Sequence, residues 1–323
     1  MNDCCSNDAN VCYTAVGMKS KQTWFWLALL SFTLAAPNAM VMRYAVGELD
    51  PFLLNALRFA IVALCCAPII WQSRGLFTGK ALRSVLIAGA AMSVAALTFT
   101  VALVHSTASY VSILLLLTPV VLVFYSNKLT GERISRRAMA GITLSALGAA
   151  VIVLLPLALR QNTPFTFYPL ATLLCVLNCL IYPLSTIEIK KANEDHGVPM
   201  FALVGFVAVI VTVANVIAWL LSGSSVPASV SWQTVAGILY SALIISLFGR
   251  ALGIWSYERV GSAVISALTY FEALVAVILP VIFLHEKVSL EMAIGGCLIL
   301  FGVFVVEYHK STHHKHHHAF RAH

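Results

Sequence analysis

The chain has 323 residues, of which 60% are hydrophobic and 10% are charged, and its formal net charge is +7. A soluble domain carries about 25% charged residues, so too little polar surface is present here to cover the apolar surface in water. The composition excludes a water-soluble globular protein and predicts that lipid surrounds the chain.

Ten apolar segments follow one another along the chain. Each has about 20 residues, which matches the roughly 30 Å hydrocarbon core of a bilayer. Because backbone groups in lipid must be hydrogen-bonded internally, each segment is predicted to be a helix, and the alternating pattern of a membrane barrel does not occur. The segments are 24–46, 52–71, 81–103, 108–127, 136–158, 167–189, 199–221, 232–254, 262–284 and 289–308.

Lysine and arginine lie mainly in alternate loops between these segments, which indicates the orientation in the membrane. With both termini in the cytoplasm, the outer side receives little beyond Arg160 and Lys287. The positive charge is a topology signal, and because it is scattered over short loops it does not indicate nucleic-acid binding. The cytoplasmic set is Lys19, Lys21, Arg74, Lys80, Arg83, Lys128, Arg133, Arg136, Arg137, Lys190, Lys191, Arg259, Lys310, Lys315 and Arg321.

The two halves of the chain align with each other at an offset of 154 residues. Glycines seven residues apart recur in both halves, and two helical turns place them on one face, where they let neighbouring helices approach closely. Five helices per half is an odd number, so the second half enters the membrane from the opposite side, as in the inverted repeats of secondary transporters. The matched pairs include Glu132 and Glu286, Gly141 and Gly295, and Gly148 and Gly302.

The predicted fold is an all-α integral membrane protein with ten transmembrane helices, arranged as two inverted-topology five-helix repeats with both termini inside. No soluble domain fits between the short links. The expected divisions are a cytoplasmic N-terminal tail at 1–22, the first repeat at 23–158, an external linker at 159–166, the second repeat at 167–308 and a His-rich cytoplasmic tail at 309–323.

Short patterns along the whole chain carry a family resemblance. They are Asn38, Arg43, Pro51 and Arg58 in the first two segments, Ala102-Leu103 and Ser106 to Ser109 at the next outer turn, LTPV at 117–120, GER at 131–133, VGSA at 260–263 and Glu272. In this order and spacing they resemble the EamA-type members of the drug/metabolite transporter superfamily. The resemblance implies a ten-helix carrier that exports metabolites, often amino acids or related compounds.

The chain departs from that family pattern at four positions. Arg43 stands for the usual lysine, Ala273 for a proline, Arg250 for an aromatic residue and His285 for the glycine of the second Gly-Glu-Arg. A relative's substrate is therefore not transferred to this chain.

Glu272 lies near the middle of segment 262–284. A glutamate is too short to reach the membrane interface from that depth, so we expect it to face the protein interior or a wet cavity. It is a candidate ligand for a substrate amine and a candidate proton-coupling group. A hydrogen bond that joins two helices is the structural alternative.

Other polar or aromatic residues at comparable depth complete the predicted substrate site, and each alone also suits a hydrogen bond between helices. Prolines at 37, 119, 183 and 280 kink several helices at similar depth, which suits a cavity that opens alternately to either side. The predicted site residues are Asn38, Thr118, Asn178, Tyr182, Arg250, Tyr270 and Glu272.

Arg43, Arg58 and Arg250 each lie near a segment end. Their long side chains can reach the interface from there, so the sequence leaves open whether they bind substrate or fix the topology.

We predict a secondary carrier of the cytoplasmic membrane that exports a small organic metabolite by alternating access. One mid-membrane carboxyl with mixed polar and aromatic neighbours favours an amino-acid-like zwitterion. The alternatives are a nucleoside or cationic drug carrier and, in a different class, a membrane enzyme or scaffold without transport. No catalytic motif, cofactor or metal site is predicted; the expected partners are the substrate, lipid and protons, and the chain is expected to be a monomer or a homodimer.

Overall fold

The computed structural model describes residues 21–118, 120–121, 125, 136–159, 168–249 and 262–319. Within these ranges the chain is helical and contains no strand. Six spans described there are long and apolar enough to cross a bilayer, two of them made of consecutive helical segments, and three shorter apolar helices accompany them. The predicted all-α membrane fold is therefore confirmed.

The first five spans give six of the α-helices that we number in chain order. The first span is broken into α1 and α2, and a short 3₁₀ turn, Arg74–Leu76, follows α3. The helices are α1 Lys21–Ala35, α2 Asn38–Ala45, α3 Pro51–Gln72, α4 Gly79–Val104, α5 Ala108–Leu115 and α6 Arg136–Leu159.

The second half continues with five α-helices and one π-helix. The eighth span starts as α9 and continues as the π-helix, which we name π1. The last helix, α11, extends well beyond the apolar segment that ends at 308. The elements are α7 Pro169–His196, α8 Met200–Ser222, α9 Trp232–Leu239, π1 Tyr240–Gly249, α10 Ser262–Phe283 and α11 Leu290–Ala319.

Helix packing follows the inverted repeat. Each of three major contacts pairs a helix with its counterpart in the other half: α3 with α8, α5 with α10, and α6 with α11. The remaining contacts also come in equivalent sets. The interface between α4 and α7 in one set corresponds to the interface of α9 and π1 with α1 and α2. The contact between α5 and α7 corresponds to the contact between α10 and α1.

The predicted glycine stripes lie between α6 and α11. A Cβ atom added at Gly148 would come within 2.6 Å of the Gly295 carbonyl oxygen, and one added at Gly302 would collide with Gly141 and Ser145. The Ser145 hydroxyl also donates to the carbonyl of Ile299 across the contact, at 3.3 Å. The glycines therefore pair across the two halves, which confirms the close approach predicted from their spacing.

Loops from both halves meet at one end of the bundle, which we name the outer end after the charge-based topology. The Asp50 carboxylate caps α3 by accepting from the N–H of Phe52 at 2.8 Å, and it also accepts from the Ser224 hydroxyl at 3.0 Å. Glu48 accepts from the N–H of Ser231 at 2.9 Å. The first and fourth outer loops are thereby joined.

Candidate functional site

The first transmembrane span is broken near the middle of the membrane. α1 ends at Ala35 and α2 begins at Asn38, directly after Pro37, whose ring nitrogen cannot donate a helical hydrogen bond. The last carbonyls of a helix lack partners within it, and here the Tyr240 hydroxyl donates to the carbonyl of Leu34. The break therefore presents polar backbone groups to the start of π1.

Further hydrogen bonds join π1 to this broken span. The Ser241 hydroxyl donates to Asn38 Oδ1 at 3.4 Å, and the Ser31 hydroxyl donates to the carbonyl of Gly249 at 3.1 Å. Within π1, the Ser246 hydroxyl donates to the carbonyl of Ser241, five residues earlier, at 2.9 Å. π-Helical turns are rare and are frequently found at functional sites, so π1 marks a candidate site.

Arg58 places a buried positive charge against π1. Only 7% of its surface is exposed, and its Nη2 donates to Ser246 Oγ at 3.0 Å. Its guanidinium carbon lies 5.3 Å from the centre of the Phe59 ring. Arg58 lies about 10 Å below the outer end of α3. The guanidinium is directed into the protein and does not extend to the membrane interface, while a role of Arg58 in substrate binding stays a prediction.

Asn55 lies one helical turn from Arg58 on α3 and is fully buried. Its Nδ2 donates to Thr100 Oγ1 at 2.9 Å, and Thr100 donates in turn to the carbonyl of Ala96. The Asn55 Oδ1 atom has no hydrogen-bond partner among the described residues. A buried acceptor without a partner is costly, so this oxygen is a candidate contact for a bound donor.

Four of these polar residues were absent from the set predicted from sequence: Asn55, Arg58, Ser241 and Ser246. The available signal was the spacing of Asn55 and Arg58, because two polar residues three apart share one face of an otherwise apolar helix. The serines gave no comparable signal, since small hydroxyl residues occur commonly at membrane helix contacts.

Glu272 lies in the middle of α10, about 15 Å from either end. It follows Leu268 by four residues, so both lie on one face of the helix, and Leu268 packs against Ala28 of α1. Glu272 therefore lies on the face of α10 that packs against α1, one turn nearer the outer side than Leu268. It is half-buried, and neither of the two ion pairs among the described residues includes it.

Two of the predicted site residues lie in a different contact, around α7. The Asn178 Nδ2 atom donates to the carbonyl of Ala95 at 2.6 Å and to the Thr98 hydroxyl at 3.2 Å, and Asn178 is buried. The Thr118 hydroxyl donates to Cys179 Sγ at 3.4 Å. These bonds connect α7 to α4 and to the residues that follow α5, as the helix-packing alternative requires.

The structure describes the three other predicted residues to different extents. Tyr182 is half-buried and packs against the apolar cluster shared by α3, α4, α7 and α8. Arg250 lies outside the described residues, and so does the side chain of Tyr270.

A cavity of about 430 Å³ opens at the outer end, above this polar region. Charged side chains from α2 and from two outer loops line it, namely Arg43, Glu48 and Glu286. A second cavity of about 390 Å³ shares Tyr44 and Leu284 with the first and extends along α9 to Tyr240, whose hydroxyl contacts the helix break. The two cavities together lead from the outer surface towards the break.

No metal site emerges from the part of the chain that the structure describes. Within it, no three His, Cys, Asp or Glu side chains are grouped closely enough to hold an ion. Arg58, Asn55 and Glu272 supply groups for hydrogen bonding and charge pairing in this region.

An inverted five-helix repeat with a polar break at the middle of the membrane defines the class of membrane transporters. The EamA-like transporter family matches residues 22–154 and 169–308, and the chain belongs to this family. An uncharacterized transporter from Archaeoglobus fulgidus is 25% identical over 289 residues, which cover 86% of this chain and 95% of that protein. A crystal structure of a protein with 18% identity superposes with a TM-score of 0.56 over 88% of this chain and 96% of its own, and supports the fold alone.

Proposed function

We propose that this transporter exports an amino-acid-like zwitterion across the cytoplasmic membrane by alternating access. The observation that carries the proposal is the buried Arg58 guanidinium, hydrogen-bonded to Ser246 of a π-helix. A guanidinium matches the planar geometry of a carboxylate and binds it with two parallel hydrogen bonds. Charged groups inside membrane segments mark substrate and ion pathways, because lipid alone would not tolerate them.

The opposite charge of a zwitterion requires acceptors near this cation. The Asn55 Oδ1 atom lies one turn away and has no partner among the described residues, so it suits one N–H of a substrate ammonium. Glu272 approaches the same broken span from α10, because α1 contacts both α10 and π1. A zwitterion bound at the break would thus lie between a guanidinium and a carboxyl group.

The apolar surroundings favour a substrate with an apolar side chain. The second cavity, which extends along α9 to Tyr240, is lined mainly by apolar and aromatic side chains, including Met40, Val41, Trp232 and Phe283. A nucleoside lacks the carboxylate that Arg58 would bind, and a cationic drug would be repelled by it. Arg58 therefore favours the zwitterion over both alternative substrates.

Purified protein in proteoliposomes tests this proposal. We expect saturable exchange of internal for external labelled amino acids, fastest for those with apolar side chains. Vesicles without protein give the background leak. Saturable exchange of nucleosides or organic cations without amino acids would contradict the substrate class, and no saturable flux of any of these would favour the non-transporting alternative.

The role of Glu272 is tested separately, with Glu272→Gln. Glutamine preserves the shape and hydrogen bonding of the side chain but cannot titrate. If Glu272 couples protons, the variant should still exchange substrate while it loses accumulation driven by a pH gradient. Wild-type exchange, accumulation and pH response in this variant would remove Glu272 from the transport mechanism.

A further inference from the structure

Glu286 lies in the turn between α10 and α11, and its carboxylate binds the start of α5 in the other repeat. Its Oε1 atom accepts from the N–H of Ala108 at 2.8 Å. Its Oε2 atom accepts from the N–H of Ser109 at 2.8 Å and from the Ser109 hydroxyl at 2.7 Å. Both carboxylate oxygens are therefore engaged by a helix that lies 177 or 178 residues away in sequence.

These bonds are strong for a contact between separate parts of a membrane protein. A carboxylate that accepts from N–H groups at a helix N-terminus makes charge-assisted hydrogen bonds, and the helix dipole adds to them. α5 already has a cap from its own chain, because Thr107 Oγ1 accepts from the N–H of Tyr110. Glu286 is thus an additional contact, whose effect is to hold α10 against α5.

The backbone before Glu286 supports the same interpretation. His285 has φ of 52°, in the left-handed region that glycine adopts readily and other residues adopt at a cost in free energy. This strained conformation persists only where the surroundings hold it, and the three hydrogen bonds of Glu286 follow directly in the chain. The turn is therefore held closed by Glu286 against a local strain.

The position of Glu286 connects it with access to the candidate site. Glu286 and Thr107 line the outer cavity, which also touches Leu284 at the end of α10. Ser112 lies one turn deeper on α5 and is buried, and the outer ends of α5 and α10 pack against each other at this level. Separation of these two helix ends would extend the outer cavity towards the middle of the membrane.

We propose that Glu286 is a latch that closes the outer side of the transporter by joining the α10–α11 turn to the N-terminus of α5. Release of its three hydrogen bonds lets the two helix ends part and opens the path from the outer cavity to the break. The latch rests on the alternating-access part of the proposed function, and its test requires no substrate.

The reporter is a single cysteine at Ser112, a near-isosteric change at a buried position, in the full-length chain with all other cysteines replaced. A membrane-impermeant thiol reagent is added from outside, and the labelling rate is measured in intact cells. We expect slow labelling with Glu286 present and about tenfold faster labelling with Glu286→Gln. The glutamine side chain is neutral, and its NH₂ group is a donor that replaces one of the two acceptor oxygens facing the N–H groups of α5.

Ser109→Ala and Glu291→Gln complete the series. Ser109→Ala removes one of the three bonds, together with a longer bond of 3.5 Å from the same hydroxyl to the carbonyl of Val277 in α10, and should raise the labelling rate about threefold. Glu291 lies in the first turn of α11 at the same end, so Glu291→Gln controls for the loss of an outer negative charge and should change nothing. If Glu286→Gln fails to fold, the Ser109→Ala result decides.

Equal labelling rates in folded Glu286→Gln, Ser109→Ala and the parent would overturn the latch. Acceleration by Glu291→Gln as large as that by Glu286→Gln would also overturn it, because a general charge effect would then explain both. The labelling result stands whichever substrate the proteoliposome assay identifies, so failure of the substrate proposal and failure of the latch are distinguishable.

Discussion

Two interfaces of this transporter are equivalent by its inverted repeat but differ in structure. The α4–α7 interface consists of continuous helices, and Asn178 uses its amide N–H groups there to bond Ala95 and Thr98. In the interface of α1 and α2 with α9 and π1, the first span is interrupted and the second partner becomes a π-helix. In this interface the Ser246 hydroxyl of π1 accepts from the buried Arg58.

The difference lies in how the two halves respond to a proline. α7 contains Pro183 but remains one helix, whereas the first span separates into two at Pro37. A proline is therefore not sufficient for a break, and the surrounding helices decide whether the freed carbonyls find partners. At Pro37 the partner hydroxyl comes from Tyr240, whose own segment departs from α-helical geometry.

We call the interface of α1 and α2 with α9 and π1 the distorted interface, and the α4–α7 interface the regular interface. The largest expected effect concerns Arg58 in the distorted interface. Arg58→Gln should lower transport of an amino-acid substrate about 100-fold, because a charged two-point hydrogen bond contributes about 3 kcal/mol. Arg58→Lys keeps the charge but not the planar fork and should retain part of the activity. Initial rates of exchange in proteoliposomes measure both, and wild-type rates in Arg58→Gln would exclude this arginine from substrate binding.

A smaller effect, of a different kind, is expected in the regular interface. Asn178→Ala removes two hydrogen bonds between α7 and α4 and should lower the free energy of unfolding by about 1 kcal/mol, since such bonds in membranes are individually modest. Substrate affinity of the folded protein should not change. Thermal unfolding and exchange kinetics of the same preparation check both parts. A loss of affinity in Asn178→Ala without loss of stability would place substrate in the regular interface.

The smallest effect concerns the outer rim of the distorted interface. Hydrogen bonds from the Ser231 hydroxyl and N–H lower the pKa of Glu48 in the folded protein. A group with a lowered folded-state pKa contributes stability above its unfolded pKa, and this contribution is lost as the pH falls through the folded value. Glu48→Gln should therefore melt at a lower temperature than the wild type at pH 7. The difference should shrink as the pH falls below the usual glutamate pKa and towards the lower folded-state pKa; a difference independent of pH would contradict this assignment.

Much of the architecture could be predicted from the sequence, because it depends on patterns within single helices. The seven-residue spacing of Gly141 and Gly148, repeated at Gly295 and Gly302, predicted a close helix contact, and the structure pairs these glycines. Helix length, apolarity and an odd number of spans per repeat likewise predicted the fold. These are local properties, so one sequence suffices to find them.

The partners of individual polar side chains could not be predicted in the same way. Arg58 at its depth can reach either the interface or the interior, and the presence of Ser246 opposite it depends on the π-helical register of another span. The bonds of Asn178 to Ala95 and Thr98 likewise depend on the position of a helix that is distant in sequence. Such assignments depend on contacts between distant segments.

Substrate-dependent thermal stabilisation of two variants tests the difference between the interfaces most directly. A ligand raises stability by RT ln(1 + [L]/Kd), so the shift in Tm reports binding without transport. With an apolar amino acid as ligand, Asn178→Ala should melt at a lower temperature than the wild type but keep the full ligand-induced shift. Arg58→Gln should lose that shift. A full shift in Arg58→Gln together with none in Asn178→Ala would contradict the assignment of the substrate site to the distorted interface.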